Sequence, residues 1–166
     1  DKRGKVNGKW QTLSYKEYYE CSVRFALALI KAGVSERSSV SIVGYNCSSW
    51  LINFMGAIFA NTVACGHYIT NTPDAIKFVL DHADSELVTV ENQEQLDKVL
   101  AILETTPKIK KVVVWNSYVL KPEHQKFADR VQSQTDFLKV EATEELMDIL
   151  KRRMEVQQPG NCISYV

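Results

Sequence analysis

Short apolar segments alternate with longer segments of helical periodicity along most of the chain, and this alternation constrains the fold more than any other feature. Residues 40–43 and 86–90 are short and rich in valine, whereas the segment between them carries apolar side chains three and four residues apart. Strands that alternate with helices in this way are typical of βαβ units, in which the strands run parallel. The sequence therefore predicts an α/β fold with a mostly parallel sheet flanked by helices.

The ends of the predicted helices carry the clearest local signals. Ser14 stands three residues before Glu17, which is the spacing of a capping box, and Gly33 follows the periodic segment as a stop signal. Thr72 and Pro73 form a second start, with a capping side chain before a proline at the first helical position. We expect further helices over residues 50–61, 93–103 and 141–154, the first of them capped by Ser48 or Ser49. We expect further strands over residues 63–68, 111–115 and 162–166. Residues 118–135 are expected to form a loop or a short helix.

Composition limits the partners and the compartment. The chain has 20 basic and 20 acidic residues, so its net charge gives no indication of a nucleic-acid partner. No segment approaches the roughly 20 apolar residues of a membrane helix, and no secretory signal pattern is present. Because Cys21, Cys47, Cys65 and Cys162 are widely spaced, we expect four reduced, mostly buried thiols in a cytosolic protein. Without a starting Met, we expect the chain to begin inside a longer protein.

A search for chemistry within the chain finds no catalytic motif. The seven glycines are scattered and form no phosphate-binding pattern. His67, His82 and His124 lack the spacing of metal ligands, and His82 is expected to be solvated on the polar side of a helix. The basic residues of 108–111 are interpreted as a guard beside an apolar strand, not as a phosphate site. We predict no catalytic, cofactor-binding or metal-binding residue in this chain.

Several ordered segments carry a resemblance to a known family. They include Gly44-Tyr45-Asn46 before Trp50, together with a Tyr-Tyr-Glu-Cys segment after Ser14. The arrangement resembles the adenylate-forming (AMP-binding) superfamily and is most similar to its bubblegum-type long-chain fatty acyl-CoA synthetases. Asn46 is expected to hold the strand-to-helix turn through side-chain hydrogen bonds. The similar segments are residues 13–21, 43–46, 56–60, 66–71 and 90–100, within a likeness over about residues 9–115 that resumes at 161–166.

This resemblance implies that residues 1–166 are an incomplete N-terminal portion of an AMP-binding synthetase domain. The parent protein would join a fatty acid to CoA with ATP and Mg²⁺, yielding acyl-CoA, AMP and pyrophosphate. Residues 162–166 are similar to the strand that leads into a Ser/Thr/Gly-rich phosphate loop ending in Lys, and that loop lies beyond Val166. We therefore expect this chain alone to bind none of these groups and to be inactive.

Two other interpretations remain open, a catalytically dead lipid-binding or interaction module and another adenylate-forming enzyme of the luciferase-like or short-chain type. Ser49 stands where the family usually has Glu, Gly is usual near Asn61, and a small or aliphatic residue is usual near His67. A lipid substrate leads us to expect a cytoplasmic protein in peripheral contact with the endoplasmic reticulum membrane, with homo-oligomers as a further option. The acyl chain length is not readable from these residues.

Overall fold

The structure, a computed structural model, describes residues 5–6, 9–10 and 12–165 of the chain. Its centre is a six-stranded sheet in which every pair of neighbouring strands runs parallel. A two-stranded antiparallel ribbon precedes it. The strands are β1 (Lys5–Val6), β2 (Lys9–Trp10), β3 (Ser39–Val43), β4 (Val63–His67), β5 (Ser85–Val90), β6 (Lys111–Val114), β7 (Val131–Ser133) and β8 (Ser164–Tyr165).

Helices cover both faces of the main sheet, so the predicted α/β architecture is confirmed. One face packs against the helices Tyr15–Lys31, Ser48–Phe59, Gln134–Phe137 and Glu144–Glu155, and the other against the helices Pro73–His82 and Gln93–Leu100. Short 3-10 helices lie at Leu103–Thr105 and Pro122–Phe127. The α-helices are α1 (Tyr15–Lys31), α2 (Ser48–Phe59), α3 (Pro73–His82), α4 (Gln93–Leu100), α5 (Gln134–Phe137) and α6 (Glu144–Glu155).

The central strands are mostly apolar on both faces because both faces are buried. Val40, Leu87 and Val113 pack against the layer that contains α1 and α2. Val88 and Val112 point to the opposite face, where they pack with α3 and α4. Alternating side chains of one strand therefore enter two separate cores.

The order of the strands creates a switch point in the sheet. The sheet runs β7-β6-β5-β3-β4-β8, so the chain passes from β3 to β4 on one side and then returns across β3 to β5 on the other. The connections that leave β3 and β5 diverge at the carboxyl ends of these strands. In open parallel sheets, the crevice formed at such a point is the general position of ligand sites.

Both predicted helix starts are confirmed. Ser14 Oγ accepts a hydrogen bond from Glu17 N at 3.2 Å, and Glu17 Oε2 accepts one from Ser14 N at 2.8 Å. Thr72 Oγ1 accepts a hydrogen bond from Ala75 N at the start of α3. These contacts lie within one helical turn, which explains why the sequence was sufficient to predict them.

The predicted start of α2 is wrong. Cys47 is the N-cap, it makes no capping hydrogen bond through its side chain, and the helix already begins at Ser48. Asn46, predicted to hold the preceding turn, makes no side-chain hydrogen bond to the part of the chain that the structure describes. Instead, a hydrogen bond from Tyr45 N to the carboxylate of Glu91, at 2.9 Å, stabilises the turn. Glu91 directly follows the neighbouring strand β5.

Four further predictions need correction. The segment 118–135 contains β7, an edge strand whose three residues are too few to show periodicity. Helix α4 ends at Leu100 and a 3-10 helix follows it, whereas α6 begins at Glu144 after its cap, Thr143. All four cysteines are free, but Cys47 and Cys162 are exposed rather than buried.

Within the described residues, no helix is both long and apolar enough to cross a membrane.

Candidate functional site

An open cleft of about 870 Å³ lies at the carboxyl edge of the main sheet. Its walls come from the segments that follow β3, β4, β5 and β6, from the first turns of α2, and from β8. The cleft therefore includes the switch point between β3 and β5. Most of its bulky side chains are aromatic, namely Tyr45, Trp50, Phe54, Tyr68, Trp115 and Tyr165.

Two aromatic contacts shape the walls. Trp50 and Phe54 are stacked one turn apart on α2, with ring centroids 5.3 Å apart. Trp115, which follows β6, lies directly on the backbone of Gly44 at the end of β3. A Cβ atom at Gly44 would come within 2.5 Å of the indole ring, so this close approach requires glycine. The approach gives a physical role to the Gly of the Gly44-Tyr45-Asn46 segment.

Glu91 is held at the switch point by several hydrogen bonds. Its backbone N–H donates to Val43 O at 2.9 Å, and its backbone carbonyl accepts from Asn116 N at 3.0 Å. Its side-chain Oε2 accepts the hydrogen bond from Tyr45 N. It is the only charged side chain among the described residues that line the cleft. The sequence analysis did not single out Glu91, although an acid directly after a buried strand was a usable signal.

His67 borders the cleft at the end of β4, and its imidazole is buried. Its Nε2 lies 2.9 Å from Ser41 Oγ, and its Nδ1 has no partner in the part of the chain that the structure describes. Ser41, Ser85 and Ser39 continue this contact as a buried chain of hydroxyl groups. Burial lowers the pKa of His67 to about 4, so the ring is neutral at pH 7.

The chemistry that these residues offer is limited to binding. Ser41 contacts a histidine, but it is fully buried between strands and offers no accessible nucleophile. The described lining residues include no Lys or Arg that could hold phosphate groups. A search of the described residues finds no group of three or more His, Cys, Asp and Glu side chains that could hold a metal ion. These residues therefore do not fit a Mg²⁺ site, and we assign them no metal-dependent step.

The other residues considered from the sequence lie away from the cleft. His82 is exposed on α3 and stacks on Phe78, with ring centroids 5.8 Å apart. Lys108 and Lys110 form ion pairs with Asp84 and Glu86, and Lys111 donates to the Asp129 carbonyl. These lysines are engaged with neighbouring groups of the protein and do not converge on a common site.

Comparisons with known proteins agree with this architecture. The family described as AMP-binding enzyme matches residues 1–159. Human long-chain-fatty-acid–CoA ligase ACSBG1 is 31% identical over 160 residues, which cover 95% of this chain and 21% of that protein. The Drosophila melanogaster long-chain-fatty-acid–CoA ligase heimdall is 38% identical over 110 residues, covering 66% and 16% of the two chains. The chain thus spans about a fifth of the length of the curated relatives it matches.

Solved structures share the fold at low sequence identity. A putative long-chain-fatty-acid CoA ligase from Rhodopseudomonas palustris has a TM-score of 0.66 at 20% identity, covering 80% of this chain and 30% of its own. A red-emitting luciferase from Phrixothrix hirtus has a TM-score of 0.64 at 17% identity, covering 82% and 25%. The family match extends over nearly all of the chain, and the parallel sheet agrees with it. The chain belongs to the AMP-binding enzyme family.

Proposed function

We propose that residues 1–166 are an incomplete N-terminal portion of an AMP-binding synthetase domain, and that the parent protein is a long-chain fatty acid–CoA ligase. The observation that carries this proposal is the 31% identity to human ACSBG1 over 95% of the chain. In the proposed reaction, fatty acid, ATP and CoA yield acyl-CoA, AMP and pyrophosphate. Mg²⁺ would accompany ATP, as it does in phosphate chemistry generally.

The described residues support a structural and binding role in that reaction. The sheet provides a rigid base, and its carboxyl edge provides an aromatic cleft with a single carboxylate. Phosphate groups are held in enzymes by cations, metal ions or backbone N–H groups, and no lysine or arginine lines this cleft. ATP phosphates would therefore depend on groups outside these residues.

The proposal is tested on the full-length parent protein with a panel of acids from acetate to very long fatty acids. We expect pyrophosphate release with ATP and long-chain acids, and acyl-CoA formation only when CoA is added. Activity confined to acetate or amino acids would reject the long-chain branch. Absence of adenylation with every acid would support a catalytically dead module instead.

The 166-residue chain serves as the matched truncation in the same assay. With ATP, Mg²⁺ and oleate, we expect no pyrophosphate release from it, because the described residues that line its cleft include no Lys or Arg to hold the phosphates. Turnover that disappears when Glu91 is replaced would overturn this expectation and show that the chain itself carries catalytic groups.

A cytoplasmic location in peripheral contact with the endoplasmic reticulum is a further part of the proposal. It is supported by the lipid nature of the proposed substrate alone. We expect the parent protein to sediment with microsomes and to be released by an alkaline carbonate wash. Resistance to that wash would point to an integral membrane segment elsewhere in the parent.

A further inference from the structure

The walls of the cleft select against negatively charged ligands. Glu91 is the only charged side chain among the described lining residues, and burial keeps His67 neutral at pH 7. A phosphate or carboxylate placed beside Glu91 would meet a like charge with no lysine or arginine among the described lining residues to offset it. An uncharged group would meet no such repulsion.

The carboxylate of Glu91 has one oxygen available for a ligand. Oε2 accepts from Tyr45 N at 2.9 Å, whereas Oε1 has no hydrogen-bond or ion-pair partner among the described residues. The Trp115 ring and the Cβ of Glu91 lie on the same side of Gly44, since both approach the position that a Cβ at Gly44 would occupy. An ionised carboxylate only accepts hydrogen bonds. The free oxygen and the aromatic surface thus form a site for an N–H donor on an apolar or planar body.

We propose that Glu91 is the specificity-determining residue of the cleft and that its free oxygen binds an N–H group of an uncharged ligand portion. This inference rests on the proposed ligase function, whose substrates offer that chemistry only in CoA and in adenine rings. It revises the expectation from the sequence that the chain alone binds none of these groups. The pantetheine arm of CoA carries amide N–H groups on a slim apolar chain, and adenine carries an amino group on a planar ring. Fatty acid carboxylates and phosphate groups carry the excluded charge.

The experiment measures tryptophan emission of the 166-residue chain, because Trp50 and Trp115 both line the cleft. The uncharged probes are pantetheine and adenosine, and their charged counterparts are phosphopantetheine and AMP. We expect one uncharged probe to change the emission saturably, and its phosphorylated counterpart to bind on the order of tenfold more weakly. Whichever uncharged probe binds identifies the source of the N–H group.

The variant Glu91→Gln tests the role of the carboxylate. The amide oxygen of Gln can still accept from Tyr45 N, so the turn is kept while the charge is removed. We expect affinity for the uncharged probe to fall on the order of tenfold, and the gap between charged and uncharged probes to shrink. Glu94→Gln, on the exposed side of α4, is the matched control and should change neither value.

Several outcomes would overturn the inference. They are equal affinity for charged and uncharged probes, no saturable change with either uncharged probe, and unchanged affinity in a Glu91→Gln variant that keeps the wild-type far-ultraviolet circular dichroism. The ligase assay on the parent is independent of these measurements. Binding by the chain can therefore fail while the parent remains an active ligase, and the two proposals are separable.

Discussion

His67 lies at the end of β4, where its imidazole contacts Ser41 of the adjacent strand and is buried away from water. Its Nδ1 lacks a partner among the described residues. Burial removes the imidazole from water and thereby disfavours its charged form. The pKa of His67 therefore falls from 6.5 to about 4. An aliphatic side chain at this position would avoid this cost.

The lowered pKa of His67 predicts a pH dependence of folding. Because the unfolded chain binds the proton more tightly, the contribution of His67 is fully present above pH 6.5 and is lost as pH falls toward 4. The shift corresponds to on the order of 3 kcal/mol at its limit. Urea unfolding between pH 7.5 and 4 should show this loss, and His67→Leu should reduce it. An unchanged pH slope in the variant would contradict the prediction.

Gly44 allows Trp115 to lie on the backbone at the end of β3. We expect Gly44→Ala to lower the free energy of unfolding by about 1–3 kcal/mol, because its Cβ would lie within 2.5 Å of the indole ring and 2.8 Å of Glu91 Cβ. Gly160→Ala is the control, since no atom lies within 4 Å of its added Cβ. Equal midpoints for the two variants in urea unfolding would show that the indole packing is not restrictive.

Asn61 holds the turn between α2 and β4 in a left-handed backbone conformation, with a φ of 57°. Asn enters this region more readily than most residues. Its side chain also donates a hydrogen bond to Glu36 at 2.8 Å. Both properties suit Asn to this turn.

At the scale of elements, one arginine near the end of α6 adds polar contacts to the apolar packing of this helix. Arg153 donates hydrogen bonds to the Val34 and Ala60 carbonyls at 3.0 and 3.1 Å. These carbonyls follow α1 and α2, so a single side chain joins the ends of three helices. The neighbouring Arg152 is more exposed and pairs with Glu36.

Alanine substitutions of Arg153 and Arg152 should differ in their effect on the free energy of unfolding. Arg153→Ala leaves two carbonyl groups without their partners, and we expect a loss of about 2 kcal/mol in the free energy of unfolding. Arg152→Ala removes an exposed ion pair, for which we expect a loss below about 1 kcal/mol. Thermal and urea unfolding would measure both, and a larger loss for Arg152→Ala would contradict this assignment.

At the scale of the whole molecule, β8 is an edge strand of the main sheet, and among the described residues it pairs on one side only. Strand β8 pairs with β4 through Ala64 and Cys65, and its other edge has no paired strand among the described residues. Ile163 and Tyr165 are about half exposed beside this edge. Exposed apolar strands favour pairing with other chains.

We therefore expect the 166-residue chain to self-associate. Sizing coupled to light scattering should show oligomers, and Tyr165→Lys should increase the monomer fraction because a charge disfavours edge pairing. Val119→Lys is the control, since Val119 is exposed outside the strands of the main sheet. A sharp monomer peak for the unchanged chain, with cooperative unfolding, would contradict the expectation.

Much of the fold follows from signals between residues that are close in the sequence. The caps at Ser14 and Thr72 act within one helical turn, and the alternation of strands with helices is visible without knowing the strand order. The resemblance also depends on ordered local segments. These features predicted the α/β class, the position of most elements and the family before any tertiary contact was known.

The cleft was decided by contacts between residues far apart in the sequence. The hydrogen bond from Tyr45 to Glu91 joins positions 46 residues apart, and β7 becomes a strand only by pairing with β6. Strand order, which creates the switch point, depends on how helices pack on the two faces of the sheet. The sequence by itself determined most of the elements, because helix caps and apolar periodicity act between residues that are close in the sequence. Only the tertiary structure placed Glu91, Trp115 and Gly44 together, because burial and close packing are collective properties of the folded chain.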